Sequence, residues 1–301
     1  MKKVLITGAT GFIGRHTLPF FIDRGFEIHA ITSKNGLAKT EGITWHSADL
    51  LDSKQIERVL SNVQPSHVLH LAWYAEPGKY WHAQENFRWV ESSLQLLRAF
   101  KKYGGKRFVG AGTCAEYDWK YGYLSENISP AHPSTVYGVC KNTLRELLLA
   151  YNTQYGLSSA WGRIFYLYGP HEHHSRLVSS VILSLLKDKP ANCTDGKQIR
   201  DFLYVKDVAK AFVLLVDSEV NGVFNVSSGD PVSVKELIDR IGSILKKKDL
   251  LNYGVIKKNK NDPKLIVGDN NRITDEFGWE PTYNLDDGIN DTINWWKENI
   301  S

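Results

Sequence analysis

The run Val4-Leu5-Ile6-Thr7-Gly8-Ala9-Thr10-Gly11-Phe12-Ile13-Gly14 constrains the fold more than any other stretch. Its apolar, β-branched opening suits a buried parallel strand, and residues 12–24 read as a helix. Gly8 and Gly11 permit a tight turn and a close backbone approach, and Gly14 lets the helix pack on the strand. The unpaired N–H groups and positive dipole end of such a helix then offer a seat for a pyrophosphate. The spacing is G-x-x-G-x-x-G rather than G-x-G-x-x-G. An ordinary strand–helix turn is the plainer alternative, but the strand before and the helix after favour a dinucleotide site.

Strands and helices alternate beyond this turn. Strands are expected near 3–7, 26–32, 66–71, 106–111 and 158–165, and helices near 12–24, 53–61, 82–102 and 134–155. The C-terminal half reads as more mixed. It has helices near 175–187, up to 216, near 233–247 and over 286–297, and strand segments at 201–205 and 222–226. This order predicts an α/β chain with a doubly wound parallel sheet and a smaller mixed α/β part. At 301 residues and 42% hydrophobic the chain can bury a large core.

Other classes are set aside by composition. No apolar stretch reaches membrane-spanning length, and Met1-Lys2-Lys3 leads straight into the first strand, so a cytoplasmic, non-membrane protein is expected. Cys114, Cys140 and Cys193 are odd in number and lack ligand spacing, which fits a reducing compartment. A net charge of +4 is too small to argue for nucleic acid, and Lys246-Lys247-Lys248 and Lys257-Lys258-Asn259-Lys260 read as solvated surface. The run His171-Glu172-His173-His174 follows Gly169-Pro170 in an expected loop without helical ligand spacing, so no metal is assigned.

The second informative feature is Tyr137-Gly138-Val139-Cys140-Lys141. Residues four apart share a helix face, so phenol and ammonium can point into one cleft. A nearby ammonium favours phenolate and lowers a tyrosine pKa, as a general acid/base near neutrality requires.

Together with further segments these features resemble the extended short-chain dehydrogenases/reductases, in their branch of nucleotide-sugar epimerases, dehydratases and reductases. The resemblance runs through Thr7–Gly14, Asp49-Leu50 after a third strand, His70-Leu71-Ala72, Thr113 upstream of Tyr117, and Tyr137 with Lys141. It continues through Tyr168-Gly169-Pro170, Arg200-Asp201-Phe202-Leu203-Tyr204-Val205 and Phe277-Gly278-Trp279-Glu280-Pro281. It implies a Rossmann cofactor domain from residues 1–165 plus 201–226, and a nucleotide-sugar domain from 166–200 plus 227–301. It implies catalytic Thr113, Tyr137 and Lys141. It also implies cofactor contacts from Gly8, Thr10, Gly11, Phe12, Ile13, Asp49, Leu50, Leu71, Ala72 and Trp73, joined by Tyr137 and Lys141. Cys114, Tyr166, Arg176 and Arg200 are the implied substrate contacts, with Arg200 on a diphosphate or else in a structural ion pair to Asp201 or a neighbour. A homodimer through helices bearing Phe87, Val90, Leu94, Leu97, Leu144, Leu147 and Leu148 is also implied, with a buried single-chain face as the alternative.

Cofactor and reaction follow from departures from that family. The second strand ends in Thr32-Ser33-Lys34 with no carboxylate for a ribose 2′-OH, so NADP, helped by Arg15, is expected over NAD. Cys114-Ala115 stands where 4,6-dehydratases carry Asp-Glu, which disfavours dehydration. Tyr166, Trp89, Trp73-Tyr74 and Tyr80-Trp81 add bulk where a sugar is expected. The sequence therefore predicts an NADPH-dependent reductase of a nucleotide-activated 4-keto-6-deoxyhexose. A nucleotide-sugar 4-epimerase holding NAD tightly is the first alternative, and a non-catalytic dinucleotide-sensing regulator the second.

Overall fold

The computed structural model describes residues 2–34, 40–258 and 262–300; Asn259 and Lys260 of the second lysine cluster lie outside them. In chain order its strands are β1 (Lys3–Thr7), β2 (Glu27–Thr32), β3 (Ile43–Ser47), β4 (His67–His70), β5 (Arg107–Thr113), β6 (Tyr123–Leu124) and β7 (Ser158–Ile164). They continue with β8 (Tyr166–Tyr168), β9 (Ala191–Asn192), β10 (Ile199–Tyr204), β11 (Gly222–Val226), β12 (Pro231–Ser233), β13 (Leu251–Asn252) and β14 (Leu265–Gly268). The helices are α1 (Gly14–Asp23), α2 (Ser53–Val63), α3 (Glu85–Lys102), α4 (Val136–Tyr155), α5 (Leu177–Leu186), α6 (Val205–Val216), α7 (Val234–Leu245), α8 (Asn271–Phe277) and α9 (Leu285–Asn299).

The chain divides into two compact units. The first comprises residues 1–118, 130–164 and 209–224. Its sheet has seven strands in the order β11-β7-β5-β4-β1-β2-β3, and β1 to β5 and β7 pair in parallel. Strands β4 and β5 are buried along their whole length, because helices cover both faces of a parallel sheet. The winding runs outward through β2 and β3, then reverses to β4, β5 and β7. That reversal places a switch point between the carboxyl ends of β1 and β4, where such sheets bind ligands.

Local chemistry fixes the helices that flank it. Asp52 caps α2 by accepting from the backbone N–H groups of Lys54 and Gln55, and Ile56, Val59, Leu60 and Val63 turn one buried stripe to the sheet. Thr135 caps α4 through the Gly138 N–H at 3.1 Å, and Gly156 ends it at φ 62°. Arg107 is fully buried in β5, and its guanidinium donates to the carbonyls of Leu215 and Val220. It thereby ties the returning segment to this sheet.

The second unit comprises 119–129, 165–208 and 225–301. Its strands run β12-β10-β14-β6, with β8 also paired to β10. The division therefore falls elsewhere than the sequence suggests. Residues 201–208 belong to the second unit because β10 pairs with β8, β12 and β14. Residues 119–129 join it because β6 pairs with β14. These strands are two to six residues long, too short for alternation to announce them.

One buried acid in this unit makes stability depend on pH. Glu172 is 7% exposed and accepts from the Ser179 hydroxyl at 2.8 Å. Burial pushes its carboxyl up to about 7, against the opposing pull of Ser179 and Arg176. The folded chain thus keeps this proton to higher pH than the unfolded chain. Its contribution to stability is complete below the unfolded value and is lost as pH rises through about 7. Glu172→Gln keeps an acceptor oxygen and removes the charge. Denaturant unfolding should show it stabilised by about 3 kcal/mol near pH ~8 and by about 1 kcal/mol near pH ~5.

Candidate active site

The site is assembled in the first unit at the carboxyl ends of β1, β4 and β5. After β1, Gly8 turns at φ +72°, and a Cβ there would lie 2.9 Å from the backbone nitrogen of Ala72, just past β4. The Leu71 N–H donates to the Thr7 carbonyl at 3.2 Å, so the two strand ends are locked together. Below them the Thr7 hydroxyl bonds His70 Nδ1 at 2.7 Å, and His70 Nε2 reaches Ser93 at 2.8 Å. Burial, then Lys141, push the His70 imidazole down to about 3. It serves as a neutral strut.

This crevice fits a dinucleotide. A Cβ on Gly11 would meet nothing within 3.5 Å except the Gly8 carbonyl oxygen at 3.0 Å, so its other side is open to a ligand at the start of α1. Thr10, Phe12 and Ile13 flank it, each half-buried, and Leu71, Ala72 and Trp73 form the opposite lip. Arg15 donates to the carbonyls of Thr10 at 2.6 Å and Gly11 at 3.1 Å, so its guanidinium braces the turn itself. Thr32 is buried and accepts from the Lys34 N–H, while Ser33 and Lys34 are exposed. Asp49 is exposed, with its backbone N–H held by Gln55, and Leu50 belongs to the core.

Thr113, Tyr137 and Lys141 lie at the end of β5 and the first turns of α4. Thr113 ends β5 and is 8% exposed, and Tyr137 stands on the first turn of α4. Lys141, one turn later, is 3% exposed; its ammonium donates to the Ala111 carbonyl at 2.8 Å and lies 3.8 Å from the Trp73 ring centroid. Tyr80 and Trp81 pack edge-on against Tyr137, at 4.9 and 5.8 Å between centroids. Asn86, fully buried, pins that segment by donating to the Tyr80 carbonyl and accepting from Trp73 Nε1. Cys114 is buried beside the group and takes part in no disulfide.

The electrostatics differ from the sequence expectation. Burial, then Tyr80, push the Tyr137 phenol above its ordinary value, with Thr113 acting in the opposite direction. Burial likewise lowers Lys141 to about 7, opposed by the charge of Glu116. Desolvation thus dominates at both groups, favouring the protonated phenol and weakening the charge of the amine.

Sequence reading missed Glu116. It is fully buried, and its carboxylate accepts from the Thr113 N–H at 2.9 Å, from Trp161 Nε1 at 2.9 Å and from Arg163 Nε at 2.8 Å. The Thr-x-x-Glu spacing of a capping box is the signal that could have found it.

The expected substrate residues Tyr166, Arg176 and Arg200 lie in the second unit. Arg200 is 3% exposed and paired to Asp262 at 2.6 Å, with its guanidinium 5.3 Å from the Tyr166 ring. Its ion pair is with Asp262; Asp201 is fully buried and accepts from Ser228, Gly229 and Gly268. Arg176 stands half-buried at the start of α5. In the histidine-rich run, Glu172 is bound to Ser179 and His173 to Ser175.

A doubly wound sheet with a glycine turn at its switch point, and a threonine at the end of β5 with a tyrosine and a buried lysine four residues apart on α4, define an extended short-chain dehydrogenase/reductase. A family model described as "NAD dependent epimerase/dehydratase family" matches residues 4–227. The chain belongs to this family. It is 27% identical to a UDP-glucuronate 4-epimerase of Thermodesulfobacterium geofontis, across 100% of this chain and 98% of the relative. Among solved structures it is similar to a UDP-glucose 4-epimerase of Thermotoga maritima with UDP-glucose. That likeness has a TM-score of 0.89 and 25% identity, and covers 99% of this chain and 100% of the other. It is also similar to a UDP-glucose 4-epimerase of Thermus thermophilus in complex with NAD, with a TM-score of 0.86 and 25% identity over 99% and 100% of the two chains.

Proposed function

We propose that the protein is a nucleotide-sugar 4-epimerase that uses NAD. The observation that carries this reading is the Thr113–Tyr137–Lys141 group, gathered in the same unit as the Gly8–Gly14 turn. The 4-epimerases among its relatives support it over the reductase that the sequence alone suggests. Bound NAD would supply a reversible acceptor for the hydrogen on the sugar's C4. The Thr113 hydroxyl bonds O4 and fixes its direction. With its own proton first passed to solvent, the Tyr137 oxygen takes the O4 proton as C4 is oxidised and returns it as C4 is reduced from the other face. Lys141, charged, completes the group and holds the cofactor ribose. Gly8, Thr10, Gly11, Phe12 and Ile13 seat the pyrophosphate, and Asp49 and Leu50 border the adenine. In the second unit, Tyr166, Arg176 and Arg200 are the proposed contacts of the nucleotide diphosphate, Arg200 keeping Asp262 as its buried counter-charge. A homodimer through α3 and α4 belongs to the same proposal, supported by Phe87 at 55%, Val139 at 46% and Leu147 at 41% exposure.

One observation favours a second reading, an NADPH-dependent 4-ketoreductase: β2 ends in Thr32, Ser33 and Lys34 without a carboxylate. A single assay separates the two. The protein as purified is denatured, its released cofactor identified, and UDP-, dTDP- and CDP-hexoses offered to the native protein. The epimerase reading expects retained NAD and C4 epimers formed without added cofactor. Stoichiometric consumption of added NADPH on a 4-keto sugar, with no retained NAD, overturns it.

A further inference from the structure

The turn that follows Thr113 carries more charge than a strand end needs. Both oxygens of Glu116 are engaged. Oε1 accepts from the Thr113 N–H and from Trp161 Nε1, each at 2.9 Å, and Oε2 accepts from Arg163 Nε at 2.8 Å with Arg145 Nε 3.7 Å away. The site is built to admit this carboxylate. A Cβ on Gly112 would stand 2.5 Å from Glu116 Oε1 and 2.1 Å from Trp161 Nε1, and one on Gly110 would strike the Trp161 ring at 2.4 Å. Arg163 is further held over the Tyr117 ring at 4.1 Å. The same turn touches α4 directly, because a Cβ on Gly138, the residue after Tyr137, would lie 2.3 Å from the Ala115 carbonyl oxygen. One buried carboxylate thus sits where β5, the 114–116 turn, β7 and the first turn of α4 converge.

We propose that Glu116 is a positioning residue for the Thr113–Tyr137–Lys141 group, fixing the backbone that carries Thr113 and supplying a buried negative charge that faces the Tyr137–Lys141 pair. A purely structural role is a poor explanation for an ionised side chain here, since a buried ion pair is no more stabilising than a well-packed apolar replacement. The groups in contact with Glu116 are Thr113 on β5, Trp161 and Arg163 on β7 and Arg145 on α4, and its charge also reaches Lys141 and Tyr137 of α4. Its charge raises Lys141 against the effect of burial and raises Tyr137 further. The carboxylate therefore favours the charged form of the amine, the form proposed to hold the cofactor ribose.

The inference rests on the catalytic roles proposed above, so its test has a readout independent of turnover. In the full chain as purified, lysine Cε resonances are titrated by isotope-edited NMR, with Lys141 identified by its loss in Lys141→Met. Glu116→Gln keeps an oxygen for the Thr113 N–H and should lower the Lys141 titration point by about one unit. The alkaline limb of kcat should move to lower pH by the same amount, and kcat should fall about 30-fold with KM for the nucleotide sugar little changed. Glu116→Asp should restore the Lys141 titration. If Glu116→Gln alone does not fold, the double variant Glu116→Gln/Arg163→Met is compared with Arg163→Met, which keeps the carboxylate, so that loss of the negative charge is still read alone. An unmoved Lys141 titration point in the folded variant overturns the proposal. Should no nucleotide sugar be turned over by the wild type, the functional reading fails, while the titration still decides the role of Glu116.

Discussion

Tyr137→Phe is expected to lower kcat by about 10³-fold while KM for the nucleotide sugar changes by less than about threefold. The substitution removes one oxygen. It leaves the ring whose edge-on contacts with Tyr80 and Trp81 place the first turn of α4, so the fold and the cofactor content should be unchanged. What disappears is the only side-chain atom of this residue that can exchange a proton. Steady-state kinetics with a quantified cofactor load make the comparison. Wild-type turnover in a folded Tyr137→Phe variant would remove the phenol from the reaction.

Gly14→Ala should be nearly as damaging, for a different reason. The added Cβ would lie 2.1 Å from the Gly8 carbonyl oxygen and 2.7 Å from the Ala9 Cα. Both are backbone atoms of the turn, so no rotamer change relieves the clash. Helix α1 must move away from β1, and the pyrophosphate seat moves with it. A loss of at least about 4 kcal/mol in unfolding free energy, or a chain purified without cofactor, is expected. Gly78→Ala is the control. Its Cβ would meet nothing within 4 Å, and only the φ of +80° is unfavourable. That strain costs about 1–2 kcal/mol and should leave cofactor content intact. Equal effects from the two substitutions would mean that the close approach at Gly14 does not determine the site.

The parts of this molecule legible in its sequence are those set by local rules. The strand–glycine turn–helix at 3–23, the capped α2 and the 20-residue α4 follow from apolar periodicity, Asp52, Thr135 and Gly156. That Tyr137 and Lys141 share one helix was legible too, because α4 announces itself. The second unit was harder to read. Strands β6, β8 and β14 hold two to four residues each, and they exist because β10 and one another supply partners far along the chain. The boundary at 209 rather than 201 has the same origin. The state of the acid/base pair was misjudged because i,i+4 spacing reports proximity and says nothing of desolvation. Burial, with Tyr80 and Trp81 packed on the ring, reverses the sign for the phenol. Glu116 escaped notice because its partners, Trp161 and Arg163, stand 45 and 47 residues away.

A nucleotide sugar carrying deuterium at C4 provides the sharpest test of whether this chain oxidises and re-reduces one carbon within a single site. Incubated with the protein as purified and no added coenzyme, it should yield the C4 epimer with the label still on C4, since the hydrogen removed is the hydrogen returned. Epimer formed with the label lost to solvent, or a labelled sugar left untouched while a 4-keto sugar is reduced at the expense of added NADPH, would contradict the account.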